Sequence, residues 1–305
     1  MRGKGFRYRH NFLFVVLIGF LLSFTNAVWA FLLSIAENAN GNFVLVGLVM
    51  TLGLLPLPIA LFTLKGEKFS FSAYPVLTGI FFGLANAILL SIFTYRNSAI
   101  IYSLISPTVI VFMIANVLVN KSKIRQGHAS KLFLGASVAG LGFFMLSISS
   151  LRISLISGYD VAVSTVLVVL YGIASFLLTQ TGLKSKSDYS AIMVIGAFSM
   201  VTILAFLPFR PGPFLPAGLP VAFAAGFIVS MGVVGSFAGY RTLQKSRHAV
   251  SYSSIMYILS EMETLLLLIF YSIFVGRLNF YVIGSVVLIT IAIWYLSKES
   301  DVSFS

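Results

Sequence analysis

The chain has 305 residues, 59% of them hydrophobic and 9% charged, with a mean hydropathy of +1.02; soluble domains carry about 25% charge, so a soluble globular fold is excluded and length is better counted in membrane spans. The net charge of +12 does not point to nucleic acid, because Lys and Arg stand in short clusters between apolar runs and not along one solvated face. The absence of cysteine excludes disulfides, thiol catalysis and cysteine-ligated metal, and leaves the redox compartment open.

The basic opening MRGKGFRYRH is followed by an apolar run from Phe12 to Leu33. That run is longer than the 7–15 or so residues of a signal-peptide core and continues as FLLSIA past the candidate cleavage site Val28-Trp29-Ala30, so it is expected to be a retained first span. Further runs long enough to cross a bilayer core of about 30 Å predict ten spans. These lie at 11–33, 43–64, 75–95, 98–120, 131–151, 161–181, 190–207, 218–240, 249–275 and 280–297. Spans three and four are separated only by YRNS, which predicts a tight helical hairpin, and the proline-rich stretch Leu207–Pro220 is expected to be an exposed loop. Pro56 and Pro58 interrupt span two and Pro107 span four, and Pro107 is the expected hinge. In span five, Gly135, Ala136, Ala139 and Gly140 form small-xxx-small pairs suited to close helix packing.

With the N-terminus inside, every Lys and Arg except Arg96, Arg152, Arg210 and Arg277 falls in an inside segment. Losing or adding one span scrambles that alternation, so the charge bias predicts ten spans with both termini cytoplasmic. Ten spans divide into two halves of five, and an odd number per half inverts the second half relative to the first. The predicted fold is therefore an all-α integral membrane protein, with one five-helix repeat over 1–152 and a second, inverted one over 153–305. A shift of 154 positions sets Ser106-Pro107 on Ser260-Glu261 and Lys123 on Arg277. Each of these two spans follows a short basic hairpin, YRNSA or KSRHA.

The five-plus-five layout, the Asn26-Ala27-Val28-Trp29 run in span one, and a short hairpin before a span with a central Ser-Pro together resemble the drug/metabolite transporter superfamily, EamA type. The resemblance covers essentially the whole chain. Two positions depart from it: Val119-Asn120-Lys121 replaces the usual Gly-Glu pair after span four, and Glu261 stands where span nine is expected to carry proline. The resemblance implies a cavity lined by spans one to four and six to nine, with spans five and ten peripheral. It also implies a prokaryotic-type plasma membrane.

Span nine places Glu261 and Glu263 in the otherwise apolar run YILSEMETLLLLIFYSIFVG. A carboxylate near the bilayer midplane is costly unless it faces the bundle interior or a wet cavity. On a regular helix Glu261 shares a face with Ser254, Tyr257, Ile258, Thr264 and Leu265, which is polar and aromatic. Glu263 shares one with Met256, Leu259, Ser260, Leu266, Leu267 and Phe270, which is mostly oily. Glu261 is thus expected in a cavity, as a proton carrier or a binder of cationic substrate groups, and Glu263 at a helix interface; a structural acid paired with a basic group or hydroxyl is the alternative for both. Burial disfavours the charged carboxylate and a bound cation restores it, which is enough to couple substrate to proton. Ser23, Asn26 and Trp29 of span one, Asn86 of span three, Tyr102, Ser103 and Ser106 of span four, and Tyr171, Ser175 and Thr179 of span six are candidate contacts for a small polar solute. The same residue types also join helices or anchor at the interface.

His10, His128 and His248 all fall in basic segments between spans, so they form no metal site or buried base. Tyr159-Asp160 lacks the Gly-x-Gly-Asp partner of an intramembrane aspartyl protease, and Ser137 has no intramembrane histidine to activate it. The expected function is secondary transport of a small polar or cationic metabolite by alternating access, with protons as one candidate for coupling, no catalytic residues and no cofactor. The partners are the solute, the lipid bilayer, protons and, in a homodimer, a second copy of the chain, with no nucleic acid. The alternatives are a non-transporting membrane scaffold or receptor, which predicts no polar central cavity, and a membrane-embedded enzyme. Substrate identity, direction of flux, the coupling ion, the oligomeric state and the role of Glu263 stay open.

Overall fold

The computed structural model describes residues 2–92, 101, 104–120, 128–150, 157–209, 215–243, 249–263, 266, 284 and 287–295. Among these, every regular element is a helix: α1 (Arg2–Asn40), α2 (Phe43–Leu54), α3 (Pro56–Lys65), α4 (Ala73–Ile92), α5 (Thr108–Val119), α6 (His128–Ser150), α7 (Gly158–Lys184), α8 (Asp188–Leu204), α9 (Leu219–Leu243) and α10 (Ala249–Ser260). A backbone without water must satisfy its own polar groups, and a helix does so within one segment. Among the described residues, six stretches are long and apolar enough to cross a membrane: Leu13–Asn40, Phe43–Lys65, Ala73–Ile92, Gly158–Lys184, Asp188–Phe209 and Leu219–Leu243. Thr108–Val119 and Phe133–Gly142 are shorter apolar helices. The helices are those of an integral membrane protein.

Local chemistry sets the ends. Asn42 caps α2 by accepting from the Leu45 amide, Ser187 caps α8 by accepting from Ser190, and Ser157 and Asp160 form a reciprocal capping box at the start of α7. Asp160 is thereby occupied at a helix end. Gly66 closes α3 in the left-handed conformation, its amide bonded to the last carbonyls.

Several predicted spans are interrupted. Span two bends at Leu55, between α2 and α3, where Pro56 and Pro58 open the second helix. Span four turns at Ser106-Pro107 before α5 resumes at Thr108, so Pro107 sits at a break as expected. Span nine does not run unbroken as predicted: α10 stops at Ser260, and Glu261-Met262 form a turn. The YRNS hairpin lies outside the described residues, as do Tyr102, Ser103 and Thr264.

Packing follows a paired pattern. α1 lies against α9, and α7 against α4; α2 packs on α9, and α8 on α4; α1 packs on α10, and α7 on α5. Small residues let backbones approach at these crossings. A Cβ on Gly226 would lie 1.8 Å from the Met50 carbonyl oxygen and one on Gly53 2.1 Å from that of Phe223, while at the α4–α8 crossing Gly79 and Gly83 would meet the Ile195 and Ser199 oxygens at 2.6 and 2.7 Å. Ser230 and Ser199 pin the two crossings by donating to the carbonyls of Leu54 and Gly79, each at 2.9 Å. In α6, Ala136 and Ala139 are buried and Gly140 faces Ile110, in keeping with a packing role.

Candidate functional site

The two broken helices meet in the middle of the bundle. Pro107 ends one interrupted segment and places Thr108 at the first position of α5. At the other break, the Glu261 amide still bonds four residues back to Tyr257, but the Met262 amide reaches only three back, to Leu259, at 3.1 Å each. That tightening changes the phase of the helix. The Tyr257 hydroxyl donates to Thr108 Oγ1 at 3.0 Å, joining the breaks. Its ring stacks on Phe112, with centroids 4.0 Å apart. The Glu261 carboxyl lies within reach of both the Tyr257 and Thr108 hydroxyls.

Beside this junction is a cavity of about 170 Å³ walled by α1, α2, α4, α5, α7, α8, α9 and α10. α6 contributes no lining residue among those described. The cavity is smaller than the roughly 300–1,000 Å³ of sites for drug-sized ligands. Of the residues expected to form a site, Asn26, Trp29, Asn86, Tyr171, Ser175, Tyr257 and Glu261 line it together. Tyr171 donates to Asn86 Oδ1 at 2.7 Å, and Trp29 Nε1 contacts Met50 Sδ at 3.1 Å, which orients both rings.

Glu263 also lines the cavity, in hydrogen-bonding reach of Asn26. Its expected place on an oily helix face is corrected by the turn at 261–262, which swings it round to the side of Glu261. Ser254 is corrected in the opposite sense: it is fully buried, accepts from Asn116 Nδ2 at 3.2 Å and so ties α10 to α5 outside the cavity wall. Ser106 and Ser23 are buried but do not line the cavity. Thr179 bonds the hydroxyl of Tyr240 at 3.0 Å, and Tyr240 is a wall residue that sequence reasoning missed. Thr108 was missed as well, although its position directly after the Ser-Pro break was a usable signal. Thr51, Ser199 and Ser236 add further hydroxyls to the wall. Among the described residues, no Lys or Arg lines the cavity.

This arrangement can hold a small polar solute by hydroxyls and amides, stack it against Trp29, Tyr171 or Tyr257, and offer two carboxyl groups to positive charge. The fold and the cavity define a class: an all-helical membrane protein with a central acid-bearing cavity. No family model matches the chain, and no curated protein matches it. A solved structure, described only as the crystal structure of a protein, is similar with a TM-score of 0.65 at 14% identity, covering 95% of this chain and 99% of the other. That likeness shows a shared fold.

Proposed function

We propose that the protein is a secondary transporter that moves a small polar or cationic solute by alternating access, with Glu261 and Glu263 coupling the solute to protons. The observation that carries this reading is the meeting of two helix breaks, at Ser106-Pro107 and Glu261-Met262, beside one cavity that contains both acids. Non-helical backbone at membrane depth is tolerated where it lines a cavity, and discontinuous helices of this kind commonly build substrate and ion sites.

Ten spans in two inverted repeats, as in the EamA-type transporters that the sequence resembles, agree with the paired packing. Every principal contact of a first-half helix with a second-half helix has a counterpart with the halves exchanged. The two breaks also overlap at one aligned pair, Pro107 and Glu261, 154 positions apart. Loops expected on one side of the membrane meet: Lys65, Glu67, Ser187, Asp188 and Arg241 gather at one end, and Asn40 meets Leu215 and Ala217 at the other. The positive-inside bias makes the first of these ends cytoplasmic. A scaffold has no use for a polar cavity holding two acids, and that observation favours transport.

The test is uptake into proteoliposomes against a panel of amines, amino acids, sugars and nucleobases, with and without a pH gradient. Glu261→Gln keeps the size and hydrogen bonds of the side chain but removes its titration. It is expected to insert and fold, yet lose gradient-driven accumulation; Glu263→Gln, in the same cavity, is expected to weaken it too. Early thermal unfolding of Glu261→Gln with unchanged transport per folded molecule would make the acid structural and sink the reading.

A further inference from the structure

Each end of the bundle is fastened by a clasp between two connecting segments, and the two clasps join equivalent segments with different chemistry. At one end the turn after α1 meets the segment before α9. Asn40 Nδ2 donates to the carbonyls of Leu215 and, at 2.9 Å, Ala217. Gly218, at φ +79, lies so close to Ala36 that a Cβ would come within 2.5 Å of its carbonyl oxygen. At the other end the turn after α7 meets the segment before α4. Ser187 donates to the Glu67 carboxylate, and Ser190 Oγ donates to Ser70 O at 2.8 Å while accepting the Ser70 amide at 2.9 Å.

Under the repeat described above, the α1–α2 turn corresponds to the α7–α8 turn, and the segment before α4 to the segment before α9. The clasps are thus one joint made twice, at opposite ends. Their charge differs. The Asn40 clasp is amide to carbonyl, a bond between neutral dipoles. The Glu67 clasp is braced by the Arg241–Asp188 ion pair at 3.0 Å and by Lys65 donating to Tyr189 at 2.8 Å, with Lys68 and Lys186 alongside. Asp188 Oδ1 is buried without a hydrogen-bond partner, so that carboxylate depends on Arg241 for compensation. The Arg241 side chain is 49% exposed, which leaves the pair open to screening by salt.

We propose that these clasps are the two gates of the transport cycle, and that the Glu67–Ser187–Asp188–Arg241 gate is held by an ion pair. Removing the Arg241 charge opens that end selectively. The inference rests on the transport reading, because alternating access requires such joints to part in turn.

The absence of native cysteine permits a direct test. A single Ser175→Cys, with Ser236→Cys as a second reporter, places a thiol in the cavity, and an impermeant thiol reagent is applied to either side of oriented vesicles. Arg241→Gln should raise labelling from the Glu67 side roughly three- to fivefold, the scale of a partly exposed ion pair, and abolish its salt dependence; Asn40→Ala should raise labelling only from the other side. Bridging Ser70→Cys to Ser190→Cys with a short bis-thiol reagent should block labelling from the Glu67 side, and bridging Asn40→Cys to Ala217→Cys should block it from the other. Each block should be undone by reductant when the bridge is a disulfide, which separates gating from misfolding. Labelling that ignores the bridges, or an Arg241→Gln effect equal on both sides, overturns the gates while leaving transport standing. A cavity thiol inaccessible from both sides in every variant, in a protein that moves no solute, overturns the transport reading and the gates with it.

Discussion

Gly226→Ala is the sharpest test of the packing, because one added methyl meets backbone and not a side chain that can turn aside. Its Cβ would sit 1.8 Å from the Met50 carbonyl oxygen, 2.8 Å from the carbonyl carbon and 3.1 Å from the Leu54 nitrogen, where ordinary contact begins near 3.4 Å. α9 and α2 must therefore separate by more than an ångström. Overpacking of this kind costs about 1–3 kcal/mol. The separation also strains the Ser230–Leu54 bond, 2.9 Å long and one turn further along α9, which adds about 0.5–1.5 kcal/mol if it breaks. The expected loss is about 2–4 kcal/mol, measured as a lowered midpoint in thermal or denaturant unfolding of the detergent-solubilised protein. Gly83→Ala, facing the Ser199 carbonyl oxygen at 2.7 Å in the counterpart crossing, should lose less because the overlap is smaller. Gly158→Ala, at the first position of α7 and with nothing within 4 Å of its Cβ, should match the parent. A Gly226→Ala protein as stable as Gly158→Ala would refute the close α2–α9 crossing.

Tyr257→Phe removes the hydroxyl that links the two breaks and leaves the Thr108 hydroxyl and Glu261 short of a partner. It should cost about 1–2 kcal/mol in the same unfolding assay and reduce proton-coupled uptake more than it reduces solute exchange. For orientation, Ala39→Cys and Pro216→Cys, both at exposed positions near the Asn40 clasp, should react with an impermeant thiol reagent outside intact cells, whereas Lys68→Cys and Lys186→Cys should not. The reverse pattern would invert the topology.

Much of the bundle was legible because hydrophobic run length reads directly as helix length when lipid is the solvent. The helix around Asn26 and Trp29 and the one around Tyr171 and Ser175 presented their polar residues where a regular 3.6-residue period places them, and these four side chains do share the cavity. The same period failed at Glu263, because a single amide, that of Met262, bonds to Leu259 and not one residue further back. Nothing in the residue types at 260–262 announces that change; Pro107 announced the equivalent break in the other half. Ser254 misled for a different reason: a hydroxyl on a polar face satisfies Asn116 as readily as it satisfies a solute. The glycine crossings were illegible in advance, since Gly53 and Gly226 become meaningful only when the partner backbone is in place.

The location of the acids follows from the breaks. A carboxyl inside an unbroken apolar helix has to find its hydrogen bonds from other helices, at a cost that falls on the whole bundle. Glu261 stands one regular turn after Tyr257, whose hydroxyl is within its reach, and also reaches the Thr108 hydroxyl of the partner helix, which begins at its own break. Each interruption thus supplies what the other lacks: the Ser106-Pro107 break brings forward the Thr108 hydroxyl, and the second break stands at Glu261, the acid that uses it, while Glu263 reaches Asn26. In the transport reading proposed above, a change in protonation or occupancy at Glu261 acts on the angle between α5 and α10. In a regular helix the same acid would have been buffered by the rigidity of the hydrogen-bond ladder. The breaks therefore set the Thr108 hydroxyl beside the Glu261 carboxyl and, in the transport reading proposed above, connect its charge state to helix geometry.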